Sequence, residues 1–186
     1  MSSDPAAGAQ GALALIRHTA VLAAPGLCYG RLDLPPADEA PALVARIAAL
    51  RPCIIVTSPS ARCRVLAERA AVRAAADLRT DVRLRELDFG AWEGRAWADI
   101  PRAELSSWAA DPLRLAPPGG ERGADLIARV HACYDDLPCL AGTVAIVSHG
   151  GPLRVLAALA RGDSIDLLAP APALGSCVVV TRTPAP

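Results

Sequence analysis

The chain has 186 residues, 53% hydrophobic and 20% charged, which suits one medium-sized globular domain with a real core. Its nineteen basic residues are all Arg, with no Lys and no Asn, and nineteen acids bring the formal net charge to zero. This excludes Schiff-base chemistry, a GxxxxGK[ST] phosphate loop and a Cys-His-Asn triad, and interleaved charges of both signs lack the basic stripe of a nucleic-acid binder.

In chain order, residues 1–11 are small and polar, with no basic residue before Arg17, and are expected to be a disordered tail without the charged region of a secretory signal. Residues 12–16 form a short apolar run that stops at Arg17-His18-Thr19, as a buried strand with a polar carboxyl end would. Leu43, Ile47 and Leu50 recur at helical spacing between 38 and 50, and Pro52 separates that helix from a second buried strand over 53–56. A Ser-Pro turn at 57–60 leads into a helix reaching about residue 76, and Val82-Arg83-Leu84 predicts a third short strand. Residues 95–109 are expected to be helical, 112–120 a loop, and 125–137 an amphipathic helix. Residues 143–147 form the clearest strand, followed by Ser148-His149-Gly150-Gly151, a helix over about 152–160 and a final strand over 178–181. Alternating strands and helices predict an α/β three-layer sandwich, a mainly parallel sheet with helices on both faces. One domain over 12–182, then a tail over 183–186, completes the reading.

Every apolar run is interrupted well short of the eighteen or so residues of a membrane span, so a cytoplasmic protein is expected, without membrane or nucleic-acid partners. The cysteines at 28, 53, 63, 133, 139 and 177 form no CxxC pair and have no His at zinc-finger spacing. Reduced thiols are expected, with no structural metal.

In an open α/β sheet, ligands bind beyond the carboxyl ends of the strands. Three polar clusters fall there: Arg17-His18-Thr19, Ser58 to Arg62, and Ser148 to Gly151. Their convergence would surround one point with donors. Arginine offers planar bidentate donors to phosphate oxygens, and a helix starting at Gly150 adds N–H groups and the positive end of its dipole. A phosphoryl group fits such a point. His131, inside a predicted helix with no polar motif, is taken as an ordinary surface or core residue.

The sequence resembles the histidine phosphatase superfamily, of phosphoglycerate mutase-like fold. Five segments carry the resemblance in order: Leu15-Ile16-Arg17-His18-Thr19, with Thr where most members have Gly; Thr57-Ser58-Pro59-Ser60-Ala61-Arg62; residues 84–94, Leu-Arg-Glu-Leu-Asp-Phe-Gly-Ala-Trp-Glu-Gly; Pro118-Gly119-Gly120-Glu121; and Val147-Ser148-His149-Gly150-Gly151. Within the family, residues 26–35 and the form of the acid segment look most like α-ribazole phosphatases of cobalamin biosynthesis. Two departures stand out. The phosphate-binding Asn of many members is missing, its place falling near Ala23 or Ala24, and Arg122 stands where Ser usually follows the Gly-Gly-Glu element.

The resemblance implies a metal-independent phosphomonoesterase without cofactor, acting through a phosphohistidine. His18 would be the nucleophile, its other ring nitrogen bound to a backbone carbonyl; Arg17, Arg62 and His149 would hold the phosphoryl oxygens, helped by Gly150 and Ser58. Glu86 would be the general acid and base, a role needing a proton near neutral pH that an apolar wall of Leu87 or Phe89 would favour. Glu93 is the second candidate for that role, Glu121 could also reach the site, and Asp88 is taken as a solvated acid. Ser58 has a second reading as a helix cap. Cys28, Tyr29, Arg31 and Glu121 are expected on the substrate side. The expected partner is a small phosphorylated substrate, α-ribazole 5′-phosphate as the first choice, with a homodimer left open. Two alternatives stand beside it: a broad phosphatase of small sugar or nucleotide phosphates, and a catalytically silent member that binds phosphorylated ligands or a protein.

Overall fold

The computed structural model describes residues 11–138 and 142–182. Cys139, the closing tail and residues 1–10 of the expected opening tail lie outside them. Five strands, β1 (Ala12–Arg17), β2 (Ile54–Thr57), β3 (Asp77–Thr80), β4 (Thr143–Ser148) and β5 (Cys177–Thr181), form one sheet in the order β3-β2-β4-β1-β5. Every pairing is parallel except β1 with β5.

Alternation along the strands makes the three layers. Leu13, Leu15, Val144 and Ile146 face one way, into a core shared with helices α4 (Gly123–Asp135) and α5 (Gly150–Arg161). Ala14, Ile16, Ala145 and Val147 face the other, against α1 (Pro41–Ala49) and α2 (Ala61–Ala74). All eight are buried. Because both faces are covered, β1 and β4 are continuous apolar runs, and the period of two is visible only in which core each residue joins. Helix α3 (Arg102–Ala110) lies off the sheet, near a small cluster of Cys28, Trp92 and Ile100 that Trp108 and Leu105 adjoin.

Two expected elements fall elsewhere. The third strand is Asp77–Thr80, and Val82–Leu84 is a single 3₁₀ turn capped by the Asp81 carboxylate on the Arg83 N–H. As an edge strand with no buried residue, β3 carries no apolar pattern to reveal it. The helix expected over 95–109 is broken by Pro101, which leaves a 3₁₀ turn at Trp97–Asp99 and starts α3 at Arg102. Five cysteines among the described residues are free thiols, four of them buried. No described helix is long and apolar enough to cross a membrane.

Candidate active site

Strand β4 returns between β1 and β2, so the carboxyl ends of these three strands meet at the centre of the sheet, the crevice where an α/β fold places its ligands. Register puts them level: Arg17 pairs with Ser148, and Thr57 with Val147. The ladder runs one residue further on each side, through His18 N–H to the Ser148 carbonyl at 3.1 Å and Ser58 N–H to the Val147 carbonyl at 3.0 Å. His18 and His149 therefore leave adjacent strands side by side, ring centres 5.1 Å apart. Both are buried.

A cavity of about 400 Å³ opens here, and Arg17, His18, Arg62, Glu86, His149 and Gly150 all line it. His18 Nδ1 lies 2.7 Å from the Thr19 carbonyl oxygen. A carbonyl can only accept, so Nδ1 carries the hydrogen and Nε2 keeps its lone pair when the ring is neutral. Neutral it stays. Burial pulls the His18 pKa down to about 3, against the opposing Thr19 bond and with the Arg62 and Arg17 charges adding to the shift. His149 is likewise held well below the ordinary value, by burial first and then by the Arg62 charge. Its Nε2 is 2.8 Å from Ser58 Oγ. Ser58, expected to bind phosphate or cap α2, lies outside the cavity wall and fixes the His149 ring; α2 is capped instead by Asp33, whose carboxylate accepts from Ala61 N–H at 2.7 Å.

With both histidines neutral, the positive charge of the site resides in arginine. Arg62, fully buried at the start of α2, donates to the carbonyls of Leu32 at 2.9 Å and Gly30 at 2.6 Å and stacks 5.2 Å from the centre of the Tyr29 ring. Arg17 is held by the Pro172 carbonyl. Each keeps a buried Nε with no partner among the described residues. Arg154 is a third guanidinium on the same wall, one that composition and motifs did not single out. It stands four residues beyond Gly150, one helical turn along α5, so the helical period alone carries it to the same side.

The Glu86 carboxylate sits on the first turn of α5, accepting from Gly151 N–H at 3.1 and 3.2 Å and from Leu87 N–H at 2.9 Å. Gly151 permits this: a Cβ there would stand 2.4 Å from Glu86 Oε1. The backbone of Glu86 is fixed separately by Arg129 of α4, which donates to the carbonyls of Arg83 at 2.6 Å, Arg85 at 2.7 Å and Glu86 at 3.0 Å, and pairs with Glu121 at 2.7 and 2.9 Å. Burial pushes Glu121 up, but the bonds and charge of Arg129, with Arg31, outweigh it and hold the carboxyl below its usual value.

Several expected residues thus move away from the cavity. Glu121 and Arg31 pair with each other at 3.3 Å off its wall, so Glu121 supports the acid segment from behind. Cys28 is buried against Trp92 and Ile100, and burial, with the Glu93 charge, pushes its thiol up to about 12. Glu93, the second candidate for acid, accepts from the N–H groups of Gly30, Arg31, Leu32 and Phe89 at 2.8 to 3.0 Å, which ties the loop after β1 to the acid segment and leaves no oxygen for a leaving group. Asp88 accepts from Gly90 N–H and lies 3.8 Å from Arg31. His131 is exposed on α4, 3.0 Å from Asp135. Tyr29 does line the cavity, joined by Phe89 and Trp97, whose rings meet edge to face with centres 5.2 Å apart. Trp97 arrives through a contact no local pattern announces, an isolated bridge between Leu27 and Ala96. Ala23 and Ala24, where the family's Asn would fall, are not on the wall. Among the described residues no three His, Cys, Asp or Glu side chains group to hold a metal.

Comparison with known proteins finds relatives in both sequence and fold. Glucosyl-3-phosphoglycerate phosphatase of Mycolicibacterium vanbaalenii is 31% identical over 159 residues, 74% of this chain and 68% of that protein. A bifunctional protein of Mycobacterium tuberculosis is 36% identical over 113 residues, which are 57% of this chain but only 30% of that longer protein. A solved structure of mycobacterial glucosyl-3-phosphoglycerate phosphatase with VO3 superposes with a TM-score of 0.78 at 25% identity, covering 90% of each chain. The family model described as histidine phosphatase superfamily (branch 1) matches residues 13–184, and the chain belongs to that superfamily.

Proposed function

We propose that the chain is a phosphomonoesterase that works through a phosphohistidine at His18. The observation that carries this reading is the His18 ring itself: neutral, with Nδ1 committed to the Thr19 carbonyl and Nε2 free, in a cavity walled by arginines. Nε2 attacks phosphorus in line; the bond to the leaving oxygen breaks, and that oxygen takes a proton from Glu86. In the second step water attacks the phosphohistidine, Glu86 takes its proton, and the N–P bond electrons return to Nε2. Arg17 and Arg62 offset the charge on the phosphoryl oxygens, and His149, as a neutral donor, adds orientation without charge. Splitting the displacement replaces one difficult step by two easier ones.

Two specific substrates have support. Residues 26–35 and 84–94 favour α-ribazole 5′-phosphate, and Tyr29, Phe89 and Trp97 offer its flat base an aromatic wall. The 31% identical relative favours glucosyl-3-phosphoglycerate. A panel containing both, with sugar phosphates and nucleotides, ranks them by kcat/KM. For the mechanism, phosphate release should persist in excess chelator, and His18→Ala should lower kcat by about a thousandfold or more while the wild type, quenched in acid-free conditions, shows phosphate on His18. Activity that survives His18→Ala overturns the reading.

A further inference from the structure

Arg154 is not needed by the mechanism above, and its surroundings do not explain it as a structural residue. Arg17 and Arg62 each donate to backbone carbonyls. The Arg154 side chain makes no hydrogen bond or ion pair with any described residue, and its Nε is buried without a partner among them. Burial lowers its pKa and the Arg17 charge lowers it further, while Glu86 and Asp166 attract it from a distance. A half-buried guanidinium held beside other arginines and left without an acceptor is a cost to the fold, because buried charge is ordinarily paired and hydrogen-bonded.

Its position supplies a reason. Arg154 borders the catalytic cavity on the side of Glu86, and it also borders a second cavity of about 280 Å³, which Arg161, Ser164 and Asp166 help to line. Glu86 is the group that meets the leaving oxygen, so Arg154 stands beside the leaving group rather than over the phosphorus. Charge balance points the same way. The transferred phosphoryl group is already faced by Arg17 and Arg62, and when Glu86 carries its proton for the first step, only Asp166, acting from a distance, offsets Arg154.

We propose that Arg154 receives a second anionic group, carried on the leaving-group part of the substrate. The substrate class is then a phosphomonoester with a further carboxylate or phosphate, which deepens the phosphomonoesterase reading and rests on it. Guanidinium and carboxylate or phosphate make charge-assisted, commonly bidentate bonds, among the strongest polar contacts available to a protein.

The test uses two matched pairs of substrates with the full chain. 3-Phosphoglycerate and glycerol 3-phosphate differ only in a carboxylate replaced by a hydroxymethyl group; fructose 1,6-bisphosphate and fructose 6-phosphate differ in the second phosphate. The readout is the ratio of kcat/KM within a pair, in which any general effect of a substitution cancels. Wild type should prefer the doubly anionic member of at least one pair by about tenfold or more, and Arg154→Met should reduce that preference to near unity, with Arg154→Lys between. The pair that responds identifies the second anion. The melting temperature of Arg154→Met should equal or exceed that of wild type, since an unpartnered charge is being removed. A wild-type ratio near unity in both pairs, or a preference unchanged in Arg154→Met, overturns the proposal while leaving phosphatase activity in place. Absence of turnover on all four substrates and on the wider panel overturns the phosphatase reading, and the proposal with it.

Discussion

Two buried histidines beside two arginines can persist only if the rings are uncharged, and this makes the site sensitive to acid. An unfolded histidine titrates near 6.5, whereas folded His18 titrates at about 3 and His149 well below its ordinary value. Between these limits the unfolded chain binds more protons than the folded one, so stability is complete above about pH 6.5 and is lost as pH falls below it. At pH 5 the loss from His18 is roughly 2 kcal/mol, or about 4–8 °C in melting temperature for a chain of this size, and His149 adds to it in the same direction. Melting curves at pH 7 and pH 5 should differ by more than the His18 share alone, and His18→Asn should remove that share; a variant as acid-sensitive as wild type would contradict the assignment. The same burial explains what the sequence made legible. Polar residues that stop an apolar strand abruptly are conspicuous, so Arg17, His18 and His149 could be singled out, and Arg62 came with the resemblance. Arg154 interrupts nothing, lying inside an ordinary helix among leucines and alanines, and only its phase along α5 connects it to the site.

Among elements, the segment carrying Glu86 is the informative one, because it has almost no regular structure and yet is closely held. Its backbone carbonyls at 83, 85 and 86 all point at one guanidinium, Arg129, which is itself locked by Glu121. The Gly-Gly-Glu element thus acts through α4, where Glu121 holds Arg129 and Arg129 holds the backbone of Glu86, the proposed acid. Arg129→Leu takes the nearest cation from a largely buried carboxylate, which keeps Arg31 and the Asp88 N–H, and the donor from three carbonyls; it should cost about 3 kcal/mol, lowering the melting temperature by roughly 6–12 °C. A merely structural role would stop there. Because the acid is displaced as well, kcat measured well below the melting temperature should fall by about tenfold or more with KM little changed, and Arg129→Lys should restore part of it; unchanged kcat in the folded variant would rule out positioning. The elements missed or misplaced from sequence share a physical cause. Strand β3 has no buried residue and α3 packs off the sheet against an aromatic cluster, so neither shows the apolar period that exposed β1, β4 and α5.

At the scale of the whole molecule, a net charge of zero coexists with a strongly uneven distribution. Eight of the nineteen acids pair with arginines among the described residues, several at the surface, as in the pairs of Arg64 with Glu68 and Arg122 with Asp125. Arg17, Arg62 and Arg154 have no carboxylate within pairing distance among the described residues, and they share one cavity. The fold therefore concentrates unmatched positive charge at the centre of a neutral protein, which costs stability until an anion offsets it. Inorganic phosphate should then stabilise the protein by binding. At a concentration a hundredfold above its dissociation constant the gain is about 2.7 kcal/mol, or roughly 5–11 °C. The shift should saturate as phosphate is raised, at constant ionic strength set with chloride, since a site fills whereas the general effect of an excluded salt keeps growing. Arg17→Gln should need more phosphate to reach the same shift, because one of the two guanidiniums proposed to face the phosphoryl group is gone. A rise in melting temperature that matches chloride, or that climbs without saturation, would mean that the unmatched arginines do not form an anion site.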